Sequence, residues 1–177
     1  MPAGRFVDTL NEQVANEFAA SHQCVAIAAH YESQTLPRLA GFFYRQAIEE
    51  RGHAMMMVKY LLDTDAPVRL TEVAAPKTEF GGHIDPIRMA LEGERAVSDQ
   101  ISELFKIARE AGDYLSEQFV QWFLKEQVEE VATMTELLDV AERTRDIPMQ
   151  LEEYIARESP GQRGGDPSAP EAAGGAA

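Results

Sequence analysis

The sequence contains few cysteines and few basic residues. Its 177 residues include one cysteine, Cys24, which excludes an internal disulfide and any zinc or iron–sulfur site built from several cysteines of one chain. The 16 Lys and Arg residues stand against 30 Asp and Glu residues, so the formal net charge is -14. This acidity argues against a nucleic-acid partner. The single cysteine fits a reducing compartment.

Long apolar runs are also absent. The longest one, from Cys24 to Ala29, has six residues, whereas a membrane-spanning helix needs about 20. No charged segment followed by an apolar one opens the chain. We therefore expect a cytoplasmic protein with no membrane partner. Apolar residues make up 45% of the chain, enough for the core of one domain.

Apolar residues recur at helical spacing along most of the chain, which predicts an all-α fold. Short connections near Thr35 and Gly112 favour two antiparallel hairpins. A shorter amphipathic segment after the fourth stretch predicts a fifth helix. The predicted helices cover about residues 6–34, 37–64, 84–111, 114–145 and 148–158.

The connection between the second and third predicted helices is unusually long. Residues 66–83 include two prolines and a Gly-Gly pair, and loops of this length are uncommon without a role. An extended path of about 60 Å reaches the other end of a bundle and joins two parallel helices. The sequence predicts an antiparallel four-helix bundle with one long crossover and a short fifth helix. This domain covers residues 1–158, and the Gly-, Pro- and Ala-rich residues 159–177 are predicted to form a flexible tail.

Each long apolar stripe is interrupted at mid-height by a polar residue of a metal-binding type. The first hairpin carries three such residues, and the second carries three more, each 77 residues after its counterpart. The two hairpins are therefore similar, and a two-fold relation between them would bring all six side chains to one level. In chain order they are Glu17, Glu50, His53, Glu94, Gln127 and Glu130.

Four ionised carboxylates inside a bundle need a compensating positive charge. An uncompensated one costs several kcal/mol, and the stripes contain no Lys or Arg. Two divalent cations would balance the four carboxylates, and the spacing of Glu50 and His53 puts both side chains on one helix face. Such sites are typical of di-iron and di-manganese proteins. The alternative is that individual glutamates are solvated surface residues.

Three segments resemble those of a non-haem bacterial ferritin. They are Asn11-Glu12-Gln13 leading to Glu17, the run 49–53 (EERGH) and the run 121–130 (QWFLKEQVEE), and the resemblance covers about residues 5–158. It implies a homo-oligomeric hollow cage of 24 subunits. Such a cage takes in Fe(II), oxidises it with dioxygen or peroxide at a di-iron ferroxidase centre, and stores the ferric mineral.

The resemblance also assigns roles to the six mid-height residues, which become the predicted catalytic set. Glu17, Glu50 and His53 would bind the first iron, and Glu50 would bridge to the second. That second iron would be held by Glu94 and Glu130 with Gln127 beside it. A third iron position on the cavity side would use Glu130 together with Glu49, Glu126 and Glu129.

The chain departs from related ferritins at several positions. Bacterioferritins carry a second Glu-x-x-His on the fourth helix, where this chain has Gln127 and Glu130, and their haem-ligating methionine would fall at Arg51. We therefore expect no haem. Cys24 stands where the family usually has a tyrosine near the centre, which leaves its role open.

Two other functions are compatible with these residues. One is a non-catalytic metal-binding or structural helical bundle. The other is a di-metal oxidase or peroxide-detoxifying enzyme on the same fold. The cavity-side acids and the single histidine of the set favour iron storage.

Overall fold

The computed structural model describes residues 2–158, 160–161 and 166–175. Within these residues the chain forms five α-helices and no β-strand, which confirms the predicted all-α fold. None of the described helices combines the length and the apolarity that crossing a membrane requires. Each helix boundary lies within two residues of the predicted one. The helices are α1 (Gly4–Ser33), α2 (Pro37–Asp63), α3 (Asp85–Glu110), α4 (Tyr114–Arg143) and α5 (Pro148–Glu158).

Local chemistry explains the turn between α3 and α4. Gly112 adopts a φ of 65°, which glycine reaches without steric cost. The carboxylate of Asp113 then caps α4, because it accepts hydrogen bonds from the Ser116 amide at 3.2 Å and from the Ser116 hydroxyl at 2.6 Å. The chain therefore reverses within a few residues, and α3 and α4 pack as a hairpin in the same way as α1 and α2.

The crossover between α2 and α3 runs along the whole of α1. Hydrogen bonds hold it near the start, the middle and the end of α1, among them four with donor–acceptor distances between 2.6 and 3.0 Å. Because the crossover returns the chain to the end of the bundle where α2 begins, α3 runs parallel to α2, as predicted. From the start of α1 to its end, the contacts pair Asn11 with Pro67, Gln23 with Lys77 and Tyr31 with His83.

The short helix α5 closes one end of the bundle. Its Glu152 side chain is 5% exposed and accepts hydrogen bonds from the backbone amides of Arg38 and Leu39, each at 2.8 Å. These amides belong to the first turn of α2, where N–H groups have no partner inside the helix. The carboxylate also interacts favourably with the positive end of the helix dipole. One side chain thus fixes α5 on α2.

A polar layer divides the apolar core into two clusters. Along α1, Val14 belongs to one cluster and Cys24 to the other, and the buried Glu17 lies between them. In the other three long helices the buried glutamates likewise lie between residues of the two clusters. The apolar clusters on both sides hold the helices at fixed spacing, so the polar side chains between them meet at the centre of the bundle.

The described part of the C-terminal segment contacts α2 and α4. The Trp122 indole N–H donates to the Asp166 carboxylate at 3.1 Å, and the Ala173 amide donates to the carbonyl of Met55 at 3.0 Å. Residues 159, 162–165 and 176–177 lie outside the described residues. The flexibility of the tail stays a prediction.

Candidate metal centre

The α1–α2 hairpin brings three potential metal ligands together. Glu17, Glu50 and His53 are at most 4% exposed, and one ligand atom from each lies within 4.8 Å of the others. The His53 Nδ1 atom lies 3.2 Å from Glu50 Oε2 and 4.0 Å from Glu17 Oε2. Glu50 and His53 share a face of α2 because they are three residues apart, and that face points at Glu17.

The α3–α4 hairpin supplies the other three residues of the layer. Glu94, Gln127 and Glu130 are between 4% and 7% exposed. The Gln127 side-chain amide donates to Glu94 Oε2 at 3.1 Å and to the Glu94 carbonyl at 3.2 Å. The first bond orients the Glu94 carboxylate, and the second ties the Gln127 side chain to the α3 backbone. The structure therefore places all six predicted residues in one buried layer.

The buried carboxylates hold their protons unusually tightly. Burial raises the pKa of Glu17 and Glu50 well above the usual range, and the nearby carboxylates raise it further. Burial, together with Glu49 and Glu94, raises the pKa of Glu130 to about 8. In the described part of the chain, no Lys or Arg forms an ion pair with the layer. No Lys or Arg therefore balances these carboxylates, and a bound cation would supply that charge.

One carboxylate oxygen of this layer has no hydrogen-bond partner. Glu17 Oε1 accepts a hydrogen bond from the Gln13 side chain at 2.8 Å, but the buried Glu17 Oε2 accepts none. In the metal-free protein a proton shared with the adjacent Glu50 carboxyl group would satisfy this oxygen, and coordination to a cation would take the place of that proton. The sequence prediction missed Gln13 as the residue that orients Glu17. Its spacing of four residues from Glu17 on one helix was the available signal.

A second acidic group adjoins the layer. Glu130 also belongs to it, together with Glu49 and Glu126, and one carboxylate oxygen from each lies within 4.8 Å of the others. Glu49 is half-buried and accepts a hydrogen bond from the Gln46 side chain at 2.6 Å. Glu129, predicted to join these acids, is not part of the group that the described residues form. Glu130 therefore links the buried layer to a more open acidic site.

Aromatic side chains enclose the histidine. The rings of Trp122 and Phe123 meet the His53 imidazole edge to face, with centroids 5.8 Å away in each case. Cys24, in the position that the family usually gives to tyrosine, is 6% exposed, and burial raises the pKa of its thiol. The thiol is therefore neutral, whereas the thiolate is the form that binds metals.

Comparison with known proteins agrees with this geometry. A ferritin-like domain model matches residues 7–144. The ferritin BfrB of Mycolicibacterium smegmatis is 48% identical over 172 residues, which cover 97% of this chain and 94% of that protein. The bacterial non-heme ferritin of Staphylococcus aureus is 35% identical over 132 residues, which cover 75% of this chain and 80% of that protein.

A solved structure shows the same fold. The open pore ferritin of the archaeon Archaeoglobus fulgidus matches with a TM-score of 0.85 at 24% identity, over 91% of this chain and 98% of that chain. Family model, sequence relatives and fold all point the same way. The chain belongs to the ferritin family and, within it, to the bacterial ferritins.

Proposed function

We propose that this chain is an iron-storage ferritin that oxidises Fe(II) at an intrasubunit two-iron centre and keeps the ferric product inside a cage of 24 subunits. The observation that carries the proposal is the buried layer of four carboxylates and one imidazole. Its pKa shifts and its orphaned Glu17 oxygen describe a site that is incomplete without cations. The ferritin names of the sequence relatives give the cation, which is iron as substrate.

We assign the first iron to Glu17, Glu50 and His53, because their ligand atoms already lie together. The second iron falls to Glu94 and Glu130, with Glu50 bridging and Gln127 alongside. Hard oxygen donors stabilise Fe(III) more than Fe(II), so this ligand set favours oxidation. Two Fe(II) ions lose two electrons in all. With two protons, these electrons reduce dioxygen to hydrogen peroxide, or hydrogen peroxide to water.

The residues of the layer also handle protons. A carboxyl group whose pKa burial has raised must lose its proton before it binds a cation. Entry of two Fe(II) ions therefore releases protons from the layer, and Glu130, with a pKa of about 8, is one donor. The protein thus exchanges protons for iron without leaving four negative charges unbalanced in the bundle.

The acidic group of Glu49, Glu126 and Glu130 is the proposed exit. It shares Glu130 with the second iron position, so a ferric ion reaches it by exchanging ligands on one residue. Glu129 follows on the same helix and remains a proposed member of this third position. The absence of haem also remains a prediction, and the Arg51 side chain at the relevant position is exposed.

Aerobic oxidation of Fe(II) tests the proposal directly. We expect the wild-type chain to form ferric absorbance faster than buffer does. Glu50→Ala removes the bridging ligand and should slow the initial rate by more than about tenfold, since changes next to metal ligands already cost 10–100-fold. The matched control is Glu92→Ala, which makes the same charge change at an exposed position of α3.

The outcome separates the candidate functions. If wild type and Glu50→Ala both oxidise Fe(II) no faster than buffer alone, the protein is not a ferroxidase. A non-catalytic metal-binding or structural helical bundle would then be the better description. Measurement of the native mass gives a second test. A cage of 24 subunits of 19.6 kDa has a mass of about 470 kDa, far above that of a monomer or dimer. A monomer or dimer that still oxidised iron would instead be a di-metal oxidase of the same fold.

A further inference from the structure

Gln46 is a buried polar residue of α2 that the two proposed iron positions do not use. It is 2% exposed, and it precedes Glu49 by three residues and Glu50 by four, so the three side chains share one helix face. The equivalent place in the second hairpin, 77 residues further on, belongs to Phe123, which is also buried. An apolar side chain fills this place in one hairpin, so packing alone does not call for an amide in the other.

The two ends of the Gln46 amide differ in their surroundings. The nitrogen donates a hydrogen bond to Glu49 Oε2 at 2.6 Å. The oxygen, Gln46 Oε1, is buried and accepts no hydrogen bond from the described residues. A buried carbonyl oxygen without a partner is unfavourable, and amide oxygens are among the ligands that hard cations accept. A cation bound next to Glu49 would therefore satisfy this oxygen.

The amide lies within ligand distance of the acidic group. In that group Glu49, Glu126 and Glu130 each place one carboxylate oxygen within 4.8 Å of the others. Two oxygens that bind one cation at about 2.1 Å lie about 3–4 Å apart. The oxygen and nitrogen of a planar amide are about 2.2 Å apart, so rotation about the Cγ–Cδ bond of Gln46 carries its oxygen through this range from Glu49 Oε2. That torsion is a soft one, and its rotation moves no backbone atom.

We propose that Gln46 is a further protein ligand of the cation that passes through the acidic group of Glu49, Glu126 and Glu130. The inference rests on the proposed function, which makes this group the exit of iron. A neutral amide adds a bond to the ion without adding another negative charge beside these carboxylates. A fourth carboxylate would hold Fe(III) more tightly, so the amide suits a position that an ion must leave.

Anomalous diffraction from Co(II)-soaked crystals tests the ligand without any oxidation of iron. At rising Co(II) concentration under nitrogen, wild-type crystals should fill the buried layer first and the acidic group next. Gln46 Oε1 should then lie about 2.1 Å from the Co(II) ion in the acidic group. An occupied acidic group with Gln46 Oε1 more than about 3 Å from the ion would overturn the inference, and so would an acidic group that stays empty.

Two substitutions separate a ligand from a residue that merely orients Glu49. Gln46→Leu removes both the oxygen and the N–H donor, and it should raise the Co(II) concentration for half-occupancy of the acidic group by about tenfold. Gln46→Glu keeps an oxygen that can bind the ion, so its acidic group should bind Co(II) at least as tightly as the wild type does, with the new carboxylate in contact with the ion.

The contrary result is equally specific. If the N–H bond to Glu49 is all that matters, Gln46→Glu should bind Co(II) as weakly as Gln46→Leu, and the ligand assignment is wrong. The matched controls are Gln118→Leu and Gln118→Glu, which make the same changes at an exposed position of α4 and should keep the wild-type occupancy.

The two proposals fail separately. A wild type that oxidises Fe(II) no faster than buffer would remove the ferroxidase function, whereas Co(II) bound to Gln46 Oε1 would still establish the ligand. If Glu50→Ala abolishes oxidation but the acidic group of wild-type crystals binds Co(II) without Gln46, the ferroxidase function stands and the ligand assignment is wrong.

Discussion

The two hairpins occupy equivalent places in the bundle but offer different chemistry to a cation. The α1–α2 hairpin presents two carboxylates and one imidazole in a closed group. The α3–α4 hairpin presents two carboxylates and an amide, and that amide is already hydrogen-bonded to Glu94. Glu130 takes the place that corresponds to His53, and it also belongs to the open acidic group. One fold thus carries one closed group of potential ligands and one group that adjoins further acidic side chains.

This difference fits a centre that holds one ion and releases the other. A nitrogen donor and three convergent ligands favour retention at the first position. Under the proposed function, the shared carboxylate of Glu130 would ease departure from the second position, because a leaving ion would exchange ligands instead of losing them. The asymmetry therefore gives the proposed flow of iron a direction.

Removal of His53 should have the largest effect on this asymmetry. His53→Ala deletes the single nitrogen donor of the layer and leaves the second position intact. We expect anaerobic Co(II) titration, followed by visible absorbance, to fall from two bound ions per subunit to one. His22→Ala is the control, because it removes an exposed histidine of α1. Two ions of unchanged affinity in His53→Ala would contradict the assignment of the first position.

The two glutamines that orient carboxylates provide a matched pair of smaller changes. Gln13 donates to Glu17 at 2.8 Å in the first hairpin, and Gln127 donates to Glu94 at 3.1 Å in the second. Residues around metal ligands typically contribute 10–100-fold to affinity. Gln13→Leu should therefore weaken the first Co(II) site by about tenfold, and Gln127→Leu should weaken the second.

Isothermal titration with both variants separates the hairpins. The diagnostic result is a crossed pattern, in which each substitution weakens a different one of the two binding steps. Equal weakening of both steps by either variant would mean that the layer binds as one unit and that the hairpins are not distinct.

Replacement of Glu130 by glutamine should have the smallest of these effects, which is a change in the free energy of unfolding of the metal-free protein. Burial raises the pKa of Glu130 from 4.5 to about 8, so ionisation destabilises the metal-free fold as pH rises through that range. Below about pH 4.5 the carboxyl group is neutral in both states, and the penalty is absent. Glu130→Gln should therefore stabilise the metal-free protein at pH 8 by about 1 kcal/mol, a rise of about 2–4 °C in melting temperature.

Calorimetry of the metal-free proteins at pH 8 and pH 5 measures this change. The gain should shrink at pH 5, and it should reverse when Co(II) is added, since the wild type alone keeps the ligand. Glu92→Gln, at an exposed position of α3, is the control substitution. A gain of equal size at both pH values would show that the charge of Glu130 is not its cause.

Local spacing made much of the site predictable. Glu50 and His53 lie three residues apart on one helix, so their shared face follows from helix geometry alone. The repeat of 77 residues predicted that the second hairpin would bring its polar residues to the same level. The long segment 66–83 predicted the crossover, because no shorter connection joins parallel helices.

The remaining features depend on how the helices pack. Four adjacent or near-adjacent acids on α4 and α2 were predicted to share one site; Glu49, Glu126 and Glu130 lie together, and membership of Glu129 stays a prediction. The rotation of α4 about its axis sets how Glu126 and Glu129 face Glu49, and sequence spacing does not define that rotation. The half-open groove that Glu94 lines is likewise formed by α1, α3 and the crossover together, so no one segment encodes it.

The sequence by itself determined the helices, the crossover and the identity of the six residues in the polar layer, because helix periodicity and ligand spacing act over a few residues. The tertiary structure decided which carboxylates lie within reach of one another and which glutamines donate to Glu17 and Glu94. Those properties arise from distances between side chains on different helices, and packing of the two apolar clusters fixes these distances.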